Sequence, residues 1–99
     1  MRTYRVRVIS RKAIREFSEK HQDATNVLQA WYMLTKKANW RNLPEVKAQF
    51  PSADLVGRRT VFNIGGNKYR LIARIDYRGQ QVFIIYILTH KEYDKGDWK

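Results

Sequence analysis

The chain has no cysteine and no long apolar run, and only nine of its 99 residues are acidic. Without cysteine there can be no disulfides, thiolate metal sites or cysteine nucleophile, and the absence fits a reducing cytoplasm. No segment is apolar enough for a transmembrane helix, and the beginning, MRTYRVRVIS, lacks the apolar core of a signal peptide. We therefore expect a cytoplasmic protein with no membrane association.

The charge balance is strongly basic. Twenty Lys and Arg residues give a formal net charge of +11, which favours a polyanionic partner. The cations lie on strand-like segments and not on one amphipathic helix, so nucleic acid is favoured over a membrane surface. An acidic protein partner that masks the basic surface fits the same charge.

Hydrophobic periodicity predicts an α+β fold in one domain spanning residues 1–99, since no repeat or linker divides the chain. The predicted order is β-α-α-(short α)-β-β-β, with the helices on one face of a mostly antiparallel sheet and the other face open. The predicted strands are Tyr4–Ile9, Arg58–Asn63, Lys68–Asp76 and Gln81–Thr89. The predicted helices are a first one capped by Ser10, a second over Thr25–Asn39 after a break at Gln22–Ala24, and a short one over Pro44–Phe50. A turn is expected at Pro51–Asp54, and a helical turn with a polar tail follows Thr89.

The most informative segment is Val61–Arg74, which reads as two strands joined by a turn at Gly65 and Gly66. Alternation in its second strand places four residues on one face: Tyr69, Leu71, Ala73 and Ile75. The opposite face carries Lys68, Arg70 and Arg74, interrupted by Ile72. A row of cations on a rigid strand is suited to binding phosphates. Arg70→Ala is expected to leave the fold intact, because its side chain is predicted on the polar face.

Several kinds of site are not supported by the sequence. The GGNK segment lacks the spacing of a P-loop, and there is no acidic cluster of the kind that holds paired Mg²⁺ ions. His21 and His90 are far apart with no carboxylate at a ligand spacing, so zinc is not expected. We expect no metal and no cofactor.

Metal-free RNA cleavage is feasible with the residues present. The ribose 2′-OH attacks the adjacent phosphate, which requires a base, an acid for the leaving 5′ oxygen, and cations at the phosphoryl oxygens. His90 and Tyr93, three residues apart, are candidates for proton transfer or base stacking. The alternatives are a structural His90 at a helix N-terminus and a Tyr93 that packs on the sheet as a hydrophobic plug.

The run VFNIGGNKYRLI, followed after one strand by LTHKEYDK, resembles the HigB toxins of bacterial type II toxin–antitoxin systems, a branch of the RelE/ParE superfamily. The segment from Trp40 to Phe50-Pro51-Ser52-Ala53-Asp54 resembles them too. The resemblance implies a RelE-like fold and a toxin that enters the ribosomal A site and cuts mRNA there. It also implies a helix-turn-helix antitoxin of the HigA type, which neutralises the toxin and, through its own DNA binding, represses the operon.

The resemblance also implies site residues. The motif positions that match it directly are Asn67, Lys68, Arg70, His90 and Tyr93. The predicted catalytic residues are Lys68, Arg70, His90 and Tyr93, and the predicted RNA-binding residues are Arg5, Arg7, Asn67, Arg74 and Lys91. Two alternatives remain open: a non-catalytic RNA-binding module, and a gyrase-poisoning toxin of the ParE type. The GNKYR segment and the pair of His90 and Tyr93 favour the RNase branch.

Overall fold

The computed structural model of the protein describes residues 6–99. These residues form five strands, four α-helices and one 3₁₀ turn at Gln22–Ala24. In chain order they are β1 (Arg7–Ile9), α1 (Arg11–Lys20), α2 (Thr25–Lys36), α3 (Leu43–Gln49), β2 (Asp54–Val56), β3 (Arg59–Ile64), β4 (Tyr69–Asp76), β5 (Gln81–Thr89) and α4 (His90–Lys95). The α+β class is confirmed. Arg5 lies outside the described residues, so its RNA contact stays a prediction.

The strands form one sheet in the order β1-β5-β4-β3-β2. Only the β1–β5 pair is parallel among these strands, so the predicted mostly antiparallel sheet is confirmed. β5 has neighbours on both sides along Gln81–Phe83, as expected of a central strand. Its apolar run is not fully covered, however, because Ile85 and Tyr86 are 37% and 41% exposed. Ile85 is the extra residue of a bulge opposite β4.

The main core lies between helices α1–α3 and one face of the sheet. Leu28 and Trp31 of α2 meet Phe62 of β3, whose ring contacts Trp31 edge-to-face at 5.4 Å between centroids. Leu71 and Ala73 of β4 are fully buried on the same face, in agreement with the predicted alternation. Burying these side chains is the main source of stability for this layer.

The opposite face of the sheet is not open, which corrects the prediction. Val61 and Ile72 point to this face and are buried there beneath Trp98, which is 5% exposed. The tail expected to be polar therefore contributes an aromatic plug, and Tyr93 of α4 packs against the same small cluster. The physical reason is that Ile72 and Val61 are too apolar to be left in water, and the tail is long enough to fold back over them.

Local signals explain most element boundaries. The Asn42 side chain accepts a hydrogen bond from the Glu45 N–H at 3.1 Å and so caps α3, with Pro44 in its first turn. α2 ends at Lys36, earlier than the predicted Asn39, because the chain turns inward to bury Trp40. Strand β2 was not predicted, since Asp54 was assigned to a turn.

Candidate active site

The turn between β3 and β4 and the beginning of α4 meet at one end of the sheet. Gly65 and Gly66 adopt φ of +62° and +70°, which confirms their predicted role in the turn. Tyr69 pairs with Thr89 in the β4–β5 ladder, and the His90 N–H donates to the Lys68 carbonyl at 3.0 Å. Lys68 and His90, 22 positions apart in sequence, are thereby adjacent in space. We call this end of the sheet the turn end.

A capping box fixes the beginning of α4. The Thr89 hydroxyl accepts from the Glu92 N–H at 3.2 Å, and the Glu92 carboxylate accepts from the Thr89 N–H at 2.9 Å. The Thr89 N–H is the largest of the influences that lower the pKa of Glu92. At its other end, α4 stops at Gly96, which has a φ of +76°. The helix is therefore held in place at the end that carries His90.

His90 is oriented by a residue that the sequence analysis did not single out. Its Nδ1 lies 2.9 Å from Oδ2 of Asp94, and 48% of its side chain is exposed. A carboxylate on one ring nitrogen fixes the orientation of the imidazole and leaves Nε2 without that partner. The i,i+4 spacing on a short helix was the signal in the sequence.

Arg70 is buried, which corrects the predicted exposed position. Only 8% of the residue is exposed, and its guanidinium lies 5.3 Å from the centre of the Tyr93 ring. Its Nη1 donates to the Tyr69 carbonyl at 3.2 Å, and its Nη2 lies 3.5 Å from Oδ1 of Asn67. Arg70 thus joins the turn to α4. Its burial follows from α4 and the tail folding over this face, which strand alternation does not predict.

Tyr93 is packed inside this arrangement. Its ring stacks on Trp98 at 4.9 Å with an angle of 17° between the planes, and the Trp98 indole N–H donates to the Tyr93 carbonyl at 2.9 Å. With Arg70 also against the ring, the geometry favours the hydrophobic plug over a stacking platform for an RNA base.

Lys68 has a carboxylate partner that the sequence analysis missed. Its ammonium pairs with Asp23, from the 3₁₀ turn after α1, and the Tyr69 hydroxyl donates to the same carboxylate at 2.6 Å. The hydrogen bond from Lys68 is the main cause of a lowered Asp23 pKa, and Asp23 in turn raises the pKa of Lys68. Both groups are therefore charged at neutral pH. No sequence motif links positions 23 and 68.

His21 also borders the turn end. Its ring stacks on Phe17 at 4.4 Å and lies 5.5 Å from the Tyr69 ring, and its charge is among the lesser influences on the pKa of Glu92. The sequence analysis considered it only as a zinc ligand that is not expected. Within residues 6–99, no three side chains of the kinds that bind metals come together.

The remaining predicted RNA-binding residues lie in two separate parts of the structure. Lys91 is exposed beside His90, and Asn67 is exposed in the turn. Arg74 pairs with Phe83 at the far half of the sheet, roughly 13 Å along the strand from Arg70 at 3.3 Å per residue. Arg7 is exposed at that same half. The predicted cation row is thus split between the turn end and a separate basic area.

Two predicted site residues of the turn end have exposed side chains: Lys68 at 64% and His90 at 48%. A groove of about 590 Å³ lies elsewhere, between α1 and α2, and is lined by residues such as Arg11, Arg15 and Tyr32. None of the predicted site residues lines it. Within residues 6–99, no helix has the length and apolarity that a membrane span requires.

Taken together, the paired Lys68, the buried Arg70 and the oriented His90 at one end of the sheet form a surface suited to a polyanionic substrate. The family model HigB_toxin, described as the RelE-like toxic component of a toxin–antitoxin system, matches residues 24–96. The mRNA interferase toxin HigB of Escherichia coli strain K12 is 33% identical over 90 residues, covering 88% of this chain and 86% of that protein.

Two further relatives agree. The mRNA interferase HigB of Shigella flexneri is 33% identical over 90 residues, with the same coverage of 88% and 86%. The mRNA interferase HigB of Escherichia coli O6:H1 is 30% identical over 91 residues, covering 89% of this chain and 88% of the relative. The chain belongs to the HigB toxin family, which confirms the resemblance found in its sequence.

Proposed function

We propose that this protein is a cytoplasmic mRNA endonuclease toxin that cuts translated messages in the ribosomal A site. The observation that carries the proposal is the junction of Lys68 with His90, whose imidazole is oriented by Asp94. The relatives named mRNA interferases support the same reaction. The antitoxin family implied by the resemblance, a helix-turn-helix protein of the HigA type, is the proposed neutralising partner and the proposed link to operator DNA.

The proposed chemistry needs no metal. The ribose 2′-OH attacks the neighbouring phosphorus, the bond to the 5′ oxygen breaks, and a 2′,3′-cyclic phosphate forms. His90 accepts the 2′-OH proton at Nε2, water supplies a proton to the departing 5′ oxygen, and the Lys68 ammonium stabilises the charge on the phosphoryl oxygens. Arg70 contributes a fixed positive charge from behind the turn, because its guanidinium is held by Tyr93 and the Tyr69 carbonyl. Tyr93 holds α4 on the sheet.

Arg7, Arg74 and Lys91 serve as electrostatic contacts to RNA backbone. Arg7 and Arg74 are exposed at the half of the sheet away from the turn end, where they extend the basic surface. Contacts of this kind position a nucleic acid without reading its sequence.

The test is single-turnover cleavage of mRNA on programmed ribosomes, compared with naked mRNA. His90→Gln should lower the rate on the order of 100-fold or more, the range for loss of a general acid or base. Tyr93→Phe should retain most activity, because the ring contacts persist without the hydroxyl. Lys47→Gln is the control, since Lys47 is exposed on α3 and is not among the predicted site residues.

Four results would contradict the proposal. Efficient cutting of naked mRNA would remove the ribosome dependence. Wild-type rates from His90→Gln would remove His90 from the site. Binding to ribosomes without any cleavage would favour a non-catalytic RNA-binding module, and inhibited supercoiling by purified gyrase would favour a toxin of the ParE type.

A further inference from the structure

Asp23 is the one acidic side chain that the described structure pairs with a predicted catalytic cation. It lies in the 3₁₀ turn Gln22–Ala24, between α1 and α2, on an element that carries no predicted site residue. One carboxylate oxygen, Oδ2, pairs with the Lys68 ammonium, while Oδ1 accepts from the Tyr69 hydroxyl at 2.6 Å. Both oxygens are thus hydrogen-bonded to consecutive residues, Lys68 at the end of the turn and Tyr69 at the beginning of β4.

Tyr69, whose hydroxyl contacts the Asp23 carboxylate, is held rigidly by the core. Tyr69 is 7% exposed, and Phe17 of α1 meets its ring edge-to-face at 5.2 Å. The hydroxyl therefore projects from the core at a fixed place, and it fixes the carboxylate that it contacts. A continuous set of contacts runs from the core through Tyr69 and Asp23 to the Lys68 ammonium.

The Lys68 side chain needs such a restraint. It is 64% exposed, and a free lysine side chain on a surface samples many rotamers. Exposed ion pairs contribute little to folding stability, and Asp23 is itself 49% exposed. The pair is therefore poorly explained as a stabilising device. Its effect is on where the ammonium is located.

We propose that Asp23 is a positioning residue that holds the Lys68 ammonium at the turn end, in the orientation used for phosphate stabilisation. This inference rests on the proposed endonuclease function. It adds a residue of the turn after α1 to the site. Neither the family match nor the names of the relatives assign a role to that turn.

The charge of Asp23 leads to opposite effects on binding and on cleavage. Its carboxylate offsets one positive charge where the phosphate binds, so Asp23→Asn should bind ribosome-bound mRNA as tightly as the wild type or more tightly. The same change releases the ammonium, and misplacement of a catalytic group by about 1 Å can cost on the order of 100-fold in rate. Asp23→Asn should therefore lower the cleavage rate at saturation by about 10- to 100-fold without raising KM.

The decisive experiment is a double-mutant cycle in single-turnover cleavage on ribosomes, with wild type, Asp23→Asn, Lys68→Met and the double variant. If Asp23 acts through Lys68, its substitution slows the wild type but has no further effect in the Lys68→Met background. Tyr69→Phe, which removes the anchor of the carboxylate, should slow cleavage in the same direction. Asp54→Asn, an exposed change on β2, is the control and should cleave at the wild-type rate.

The outcomes separate the two proposals. Independent, additive losses from Asp23→Asn and Lys68→Met would overturn the positioning role, as would a wild-type rate for Asp23→Asn. A melting temperature for Asp23→Asn far below that of Asp54→Asn would assign Asp23 a structural role and also overturn it. A wild-type protein that cleaves no translated mRNA would instead refute the endonuclease function, and the positioning role with it.

Discussion

The sequence and the structure predict different effects of Arg70→Ala on the stability of the protein. Strand alternation placed this side chain on an exposed polar face, where Arg70→Ala would leave the fold intact. The structure buries it against Tyr93, with hydrogen bonds to the turn. Arg70→Ala is therefore expected to destabilise the protein as well as to impair cleavage.

The size of the effect follows from the contacts. A partly desolvated cation–π contact is worth about 1–2 kcal/mol, and two long hydrogen bonds, at 3.2 and 3.5 Å, add about 0.5–1 kcal/mol each. Together these give a loss of about 2–4 kcal/mol in the free energy of unfolding. For a chain of this size, that corresponds to a fall in Tm on the order of 10–30 °C.

Thermal unfolding followed by circular dichroism measures this change, with Arg78→Ala as the matched control on an exposed turn. Arg70→Lys keeps the charge but loses the planar group that packs on Tyr93, so its Tm should fall between the two. Cleavage rates are then compared well below the transition, where every variant is folded. Equal melting temperatures for Arg70→Ala and Arg78→Ala would refute the structural role of Arg70.

Three further predictions concern the tail, the cap of α4 and the basic area. Trp98→Ala should lower the free energy of unfolding by roughly 3 kcal/mol by exposing Ile72, measured by denaturant titration against the exposed neighbour Asp97→Ala; an unchanged midpoint would show that the tail does not cover the sheet. Glu92 has a lowered pKa in the folded protein. Its contribution to the free energy of unfolding is therefore present above the pKa of the unfolded chain, about 4.3, and is lost as the pH falls through the pKa of the folded protein. The Tm deficit of Glu92→Ala should accordingly shrink in acid, and a deficit independent of pH would contradict the capping role. Arg74→Ala should reduce the salt dependence of RNA binding by about 0.7 in the slope of log affinity against log salt, and an unchanged slope would remove Arg74 from the interface.

The sequence alone predicted the family, the class of fold and the location of the turn. Gly65 and Gly66 predict a turn with positive φ, because few other residues adopt a positive φ at low energetic cost. The alternation of Tyr69, Leu71 and Ala73 determined which side of β4 meets the core, since successive strand residues point to opposite faces. Helix breaks are likewise local, so the break at Gln22–Ala24 was placed correctly. Ser10 occupies the N-cap position of α1 as predicted, but its side chain makes no capping hydrogen bond.

Contacts between distant parts of the chain were decided only by the tertiary structure. Trp98 covers Ile72 because the tail folds back, and this fold-back is what buries Arg70 and packs Tyr93. The pairing of Asp23 with Lys68 depends on how α1 and the turn after it lie against β4, a relation between residues 45 positions apart. Local periodicity records which face of an element is apolar. It does not predict which distant side chain covers that face, or which carboxylate pairs with an exposed cation. Those contacts form only when the elements pack together.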